Sequence, residues 1–67
     1  MKKILIVGAG GQIGSELTGY LRNIYGGSNV IAADLRHNEE LAGDGPFVQL
    51  DVLDRDKMAY TVHKNGI

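Results

Sequence analysis

The sequence contains no cysteine, a single proline, no long hydrophobic run and no surplus of charge of either sign. The missing cysteines exclude disulfide staples, thiolate nucleophiles, thiolate zinc sites and iron–sulfur clusters, and leave the redox compartment open. With a formal net charge of −1 and seven Lys and Arg scattered along the chain, there is no basic patch for nucleic acid or an anionic membrane, and neither is expected as a partner. The apolar run Ile4-Leu5-Ile6-Val7 falls far short of the roughly 20 residues that span a bilayer, and it lacks the length and the small-residue cleavage site of a secretory signal. These absences predict a soluble, cytoplasmic chain. At 67 residues there is room for one small domain at most. A domain of about 60 residues buries only about 60% of its unfolded surface and usually leans on disulfides, a metal, oligomerisation or more polypeptide.

Glycine is the one biased count, at 10 of 67 residues, roughly twice the usual share. Four of the ten fall at Gly8, Gly10, Gly11 and Gly14, between an apolar run and an amphipathic stretch. That clustering is too local for a flexible linker or a low-complexity composition. The sequence carries no internal repeat.

Lys3 to Val7 is a short, β-branched-rich run bounded by glycine, the pattern of a parallel strand covered on both faces. From Gln12 onward Ile13, Leu17, Leu21 and Ile24 recur at helical spacing, with Tyr20 and Tyr25 flanking the stripe and Gly26-Gly27 as a stop signal. Gly19 inside this helix costs on the order of 1 kcal/mol relative to Ala, which suggests close packing there. Asn29 to Ala33 reads as a second strand ending at Asp34, Arg36 to Pro46 as a loop, and Phe47 to Leu50 as a third strand. Asp54 is placed to N-cap a final helix, with Asp56 in its first turn, Met58 and Val62 facing inward, and Asn65-Gly66 as its C-cap.

Strands alternating with helices imply parallel pairing through right-handed crossovers. The fold class is therefore α/β: the N-terminal part of a doubly wound parallel sheet, a Rossmann half with strand order 3-2-1 and flanking helices. In such a sheet a fourth strand packs on the open side of strand one, and this sequence stops where that strand would begin. Strand one would then be an apolar edge with unpaired N–H and C=O groups. Residues 1–67 are accordingly expected to be an incomplete dinucleotide-binding domain, a fragment of something longer.

Chemistry points to Gly8-Ala9-Gly10-Gly11-Gln12-Ile13-Gly14. Read as G-x-x-G-x-x-G, the spacing puts Gly8 at the tight turn leaving strand one, Gly11 where backbone approaches a pyrophosphate, and Gly14 where helix lies close to sheet. Phosphates would meet free N–H groups of Gln12 and Ile13 at the positive end of the helix dipole. In the alternative G-x-G-x-x-G register from Gly8, the third glycine falls on Ile13, so the first register fits better. A glycine motif alone is weak, and a glycine-rich structural turn is the competing reading. Here a strand precedes it, a helix follows it, and Asp34 lies 20 residues beyond Gly14, which favours the dinucleotide.

Asp34, at the C-terminal end of strand two, is placed to accept hydrogen bonds from both hydroxyls of an adenosine ribose, and its charge repels a 2′-phosphate. NAD is favoured over NADP on this ground, although Arg36 two residues on would partly offset the repulsion. The alternative for Asp34 is a turn residue at a strand end. Asp51 follows strand three on the same sheet edge, where its carboxylate could accept from an adenine amino group while Val52 contacts the ring; a turn acid before the helix is the competing reading.

These residues carry a resemblance. Gly11-Gln12-Ile13-Gly14-Ser15-Glu16-Leu17, Asn29-Val30-Ile31-Ala32-Ala33-Asp34-Leu35-Arg36 and Gly45-Pro46-Phe47-Val48-Gln49-Leu50-Asp51-Val52-Leu53-Asp54 resemble the N-terminal part of extended short-chain dehydrogenases/reductases, the NAD-dependent epimerase/dehydratase family. Within that group the wording is most similar to short-chain-type L-threonine 3-dehydrogenases. The resemblance covers the whole chain but only about the first fifth of such an enzyme. It implies that Leu35, Arg36 and Val52 join Gly8, Gly11, Gln12, Ile13, Gly14, Asp34 and Asp51 around the adenosine half of NAD. It further implies oxidation of L-threonine at its 3-hydroxyl, with the substrate bound by residues outside this chain, and a homodimer. A departure is Val7, where the family usually has Thr, which would loosen a turn hydrogen bond and leave the glycine geometry intact.

The family also uses a Tyr-x-x-x-Lys pair, in which the lysine lowers the pKa of a tyrosine acting as general acid or base. Tyr60-Thr61-Val62-His63-Lys64 matches this pattern but is not assigned a catalytic role. Any helix with Tyr and Lys four apart produces the match, and the family's pair lies much later in the chain. No catalytic residue and no metal ligand are assigned within these residues: His37 and His63 have no partners at ligand spacing, and Glu39, Glu40 and Asp44 read as a solvated loop. The chain alone is expected to be inactive. Two other readings stand beside the threonine dehydrogenase: a nucleotide-sugar epimerase or dehydratase of the same family, and a non-catalytic NAD(P)-binding sensor module.

Overall fold

A computed structural model describes residues 3–67. The chain runs β1 (Ile4–Val7), α1 (Gln12–Tyr25), a 3₁₀ turn (Gly27–Asn29), β2 (Val30–Asp34), α2 (Glu39–Gly43), β3 (Phe47–Gln49) and α3 (Arg55–Asn65). The strands form one sheet in the order β1-β2-β3, and both pairs are parallel, with Ile6 beside Ala32 and Asp34 beside Gln49. This is the expected 3-2-1 arrangement, Rossmann-like, with flanking helices. Val30, Ile31, Ala32 and Ala33 are all buried, because the central strand of a parallel sheet is covered on both faces. Ala9, Ala32 and Leu41 form one buried apolar cluster, with Ile6 and Phe47 packed against it.

Helix α1 has the expected bounds, but its buried face differs from the expected one. Thr18 and Arg22 face inward, whereas Ile13 is 82% exposed and Leu17 and Ile24 are also exposed. Burial of these polar residues is tolerated because each is satisfied. The Thr18 hydroxyl donates to Gly14 O at 2.7 Å within its own helix. The Arg22 guanidinium donates through Nε to Val30 O (3.1 Å), through Nη1 to Leu41 O (2.7 Å) and through Nη2 to Pro46 O (2.6 Å). Burial lowers the Arg22 pKa from its ordinary value, and the nearby charge of Asp44 acts in the opposite direction. The expectation of close packing at Gly19 is corrected, since a Cβ there would meet nothing within 4 Å.

The segment read as a loop from Arg36 to Pro46 contains helix α2. Asn38 Oδ1 caps it by accepting from Leu41 N–H at 3.0 Å, Glu39 and Glu40 occupy its first turn, and Leu41 is buried. Strand bounds shift by a residue: Asn29 belongs to the 3₁₀ turn, its side-chain amide donating to Tyr25 O at 2.7 Å, and Asp34 is the last residue of β2. Leu50 lies just beyond β3 and donates its N–H to Asp34 O at 2.8 Å.

Helix α3 starts and stops as expected. Asp54 Oδ1 accepts from Lys57 N–H at 3.1 Å, and Gly66 closes the helix in the left-handed region at φ 66°. Lys57 Nζ donates to Gln49 O at 2.7 Å and ties the helix to β3. Its inward residue is Thr61, with Met58 half-buried and Val62 exposed, contrary to the expected inward pair of Met58 and Val62. Among the described residues no helix is long and apolar enough to cross a membrane.

Candidate functional site

The parallel sheet places the ends of β1 and β2 side by side, so the glycine loop leaving β1 lies against the last residues of β2. Gly8 turns the chain at φ 77°, a conformation that costs glycine little and other residues more. Its N–H and that of Ala9 both donate to Ala33 O, at 2.9 and 3.0 Å. Ala9 fills the core under the turn, and Gly11 N–H donates back to Gly8 O at 3.2 Å.

The other glycines have distinct surroundings. A Cβ on Gly14 would collide with Gly8 O and lie 3.0 Å from Ala9 Cα, so helix α1 approaches the loop as closely as the motif predicts. A Cβ on Gly11 would have Gly8 O as its nearest neighbour at 3.5 Å, an ordinary contact. The fold interior therefore does not require glycine at position 11. Gly10 is a residue that the G-x-x-G-x-x-G register leaves unassigned. Its N–H donates to Asp34 Oδ2 at 2.8 Å, and a Cβ on it would sit 2.9 Å from that oxygen. The available sequence signal was the fourth glycine itself, inside a motif that needs three.

Helix α1 begins after Gly11, which offers no side-chain cap, so nothing from the cap residue competes for the N–H groups of the first turn. Gln12 and Ile13 are exposed at that end, and Ser15 N–H is the first to close an α-helical bond, to Gly11 O at 2.8 Å. The arrangement presents the positive end of the helix dipole beside the glycine loop.

Two hollows adjoin along the C-terminal ends of the strands and share Gly8 and Asp34. The first, about 420 Å³, is lined by Gly8, Gly10, Gly11, Asp34, Arg36, His37 and Asn38. The second, about 260 Å³, is lined by Val7, Gly8, Asp34, Leu35, Leu50, Asp51 and Val52. Eight of the ten residues singled out from sequence thus meet here or at the adjoining turn, and Gln12 and Ile13 stand at the helix end beside them. Asp34 Oδ1 accepts from Leu35 N–H at 2.7 Å, so both carboxylate oxygens already hold one backbone donor. Asp51 lines the second hollow and also makes the turn that was its competing reading, since its Oδ1 accepts from Leu53 N–H at 2.9 Å. Leu35 and Val52 are exposed apolar residues that line that hollow.

A larger hollow of about 510 Å³ lies between α1 and α2, bordered by Glu16, Arg22, Glu40 and Asp44. It shares Asn38 with the first hollow but is lined by neither Asp34 nor any of Gly8, Gly10, Gly11 and Gly14, and its one guanidinium is taken up by three carbonyls. Tyr60 and Lys64 border neither of the strand-end hollows. Lys64 Nζ instead lies 5.5 Å from the centroid of the Tyr60 ring, a cation–π pair on α3.

The sequence matches the NAD dependent epimerase/dehydratase family over residues 4–67. An uncharacterized epimerase/dehydratase of Staphylococcus aureus is 55% identical over 60 residues, covering 87% of this chain and 19% of the relative. The structure of L-threonine dehydrogenase from Clostridium difficile superposes with a TM-score of 0.92 at 49% identity, over 100% of this chain and 22% of that one. L-threonine dehydrogenase from Phytophthora infestans gives 0.87 at 41% identity, over 98% of this chain and 20% of that one. The chain therefore spans about a fifth of the length of the proteins it matches.

Proposed function

The chain belongs to the NAD-dependent epimerase/dehydratase family, and on that premise we propose that it forms the adenosine-diphosphate half of the NAD site of an L-threonine 3-dehydrogenase. The observation that carries the reading is the pair of hollows meeting at Gly8 and Asp34 on the C-terminal edge of a parallel sheet, where open α/β sheets bind their ligands. The residues present fit the cofactor. Glycine at 11, which the fold interior does not require, leaves backbone open to a diphosphate at the mouth of the first hollow.

In this reading the N–H groups of Gln12 and Ile13 hold the diphosphate at the start of α1. Asp34 accepts from the adenosine ribose, because each carboxylate oxygen retains a lone pair after taking its backbone donor. Leu35 and Val52 flank the adenine, Asp51 accepts from its amino group, and Arg36 stands at the ribose end. The negative charge of Asp34 disfavours a 2′-phosphate and so selects NAD over NADP. Bound NAD supplies a hydride acceptor for oxidation of the 3-hydroxyl of L-threonine. The groups that move the proton and hold threonine are assigned to parts of the family's length that this chain does not span, and the homodimer is likewise assigned to the protein at that length.

The alternative is a nucleotide-sugar epimerase or dehydratase, which the S. aureus relative favours by its description. In the protein at its relatives' length, L-threonine and NAD should give NADH, followed by absorbance, while sugar nucleotides are left unchanged. Turnover of a sugar nucleotide without NADH formation from L-threonine would replace the first reading with the second.

A further inference from the structure

The first three N–H groups of the glycine loop all point at the last two residues of β2. Gly8 and Ala9 donate to the Ala33 carbonyl, and Gly10 donates to the Asp34 carboxylate at 2.8 Å. The first two bonds are backbone to backbone and survive any substitution that leaves the chain in place. The third depends on one side chain. It is also charge-assisted, and such bonds are roughly twice as strong as neutral ones.

From this geometry we infer that Asp34 is a positioning residue for the glycine loop as well as an acceptor for ribose, so that the grip on the diphosphate depends on the carboxylate that reads the sugar. The inference rests on the proposed NAD site and deepens it. Oδ1 is held by Leu35 N–H at 2.7 Å, which fixes the carboxylate plane, and Oδ2 then fastens the middle of the loop. Gly10 is the complementary half of the device. Its glycine serves close approach, since a Cβ would lie 2.9 Å from Oδ2 and 3.2 Å from Cγ and would push the carboxylate away. Releasing Gly10 frees the segment that leads directly into Gly11, Gln12 and Ile13, the residues proposed to meet phosphate. If Asp34 recognised ribose and nothing else, its removal would leave a ligand without ribose hydroxyls unaffected.

The test uses ADP and 2′,3′-dideoxy-ADP as probes, both carrying the diphosphate and only the first carrying the hydroxyls. Their affinities are measured by calorimetry for the parent chain and for Asp34→Ala and Gly10→Ala, with folding checked by circular dichroism. Loss of the charged acceptor is expected to weaken 2′,3′-dideoxy-ADP by about tenfold in Asp34→Ala, in addition to abolishing the preference for ADP. Gly10→Ala is expected to weaken ADP and to narrow the ratio between the two probes. An unchanged dideoxy affinity in Asp34→Ala, or an unchanged ratio in Gly10→Ala, overturns the inference. A ligand-free readout separates its failure from failure of the NAD site. In ¹⁵N-labelled protein the Gly10 amide proton should move upfield in Asp34→Ala, as a proton released from a carboxylate does, and a resonance that stays in place overturns the latch whatever the protein binds. If the parent chain binds neither probe, the proposed NAD site falls, and with it the coupling to phosphate.

Discussion

Gly45 leaves the space that the Arg22 guanidinium fills: a Cβ on Gly45 would lie 2.8 Å from both Cζ and Nε of Arg22. Through that gap Arg22 joins the start of β2, the end of α2's first turn and the approach to β3, by its three bonds to Val30, Leu41 and Pro46 carbonyls. A single charged side chain thus ties together three segments on the sheet's helical flank.

Arg22→Met keeps the apolar stem and removes the donors, leaving the Val30 and Leu41 carbonyls without the guanidinium, while Pro46 O keeps the N–H of Ala32 at 3.0 Å. Each such loss costs about 1–3 kcal/mol when buried, a large fraction of the stability of a chain this small. The expected result is a loss of on the order of 3 kcal/mol in urea denaturation, or outright unfolding. Parent-like stability would show that the guanidinium is dispensable.

Gly14 and Gly19 lie on the same helix and should respond in opposite directions. Gly19→Ala adds a Cβ into open space and is expected to stabilise the chain by roughly 0.5–1 kcal/mol through helix propensity. Gly14→Ala drives a Cβ into Gly8 O and Ala9 Cα, with an expected cost of about 1–3 kcal/mol. Thermal unfolding of the two variants beside the parent decides both, and destabilisation by Gly19→Ala would mean that α2 closes over α1 more tightly than the structure shows.

Much of this was legible in the sequence, and what was not has common physical causes. The three strands, their order and both long helices follow from apolar runs, helical periodicity and caps, all local signals. The cap at Asp54 and the left-handed Gly66 are local too, which is why α3 is bounded correctly. Helix α2 was missed because one five-residue turn has no periodicity to read, and it is held by Leu41 in the core and by Arg22 reaching its carbonyl. The buried face of α1 was misread for a related reason. Helical spacing marked its apolar stripe, whereas Thr18 and Arg22 face inward on hydrogen bonds that only the tertiary fold supplies. At the site, the strand–glycine–helix–acid spacing was enough to group residues that line one pair of hollows, but the contact between Gly10 and Asp34 depends on β1 and β2 lying side by side.

Asp34→Ser should weaken NAD more than NADP in the protein at its relatives' length. On the proposed reading the substitution removes a ribose acceptor from one cofactor and a repulsive charge from the other, while Arg36, which lines the same hollow as Asp34, remains. Dissociation constants for both cofactors from protein fluorescence or calorimetry check this. Equal losses would remove the ribose assignment.

The most direct test of the central claim is an NMR titration of the ¹⁵N-labelled chain with NAD. Binding is expected to be weak, since β1 lies at an edge of this three-stranded sheet, and the shifts should concentrate at Gly8 to Gly14, Asp34 to Arg36, and Asp51 and Val52. Shifts confined to the hollow between α1 and α2, or none at any concentration reached, would contradict the assignment of these residues to the adenosine-diphosphate half of NAD.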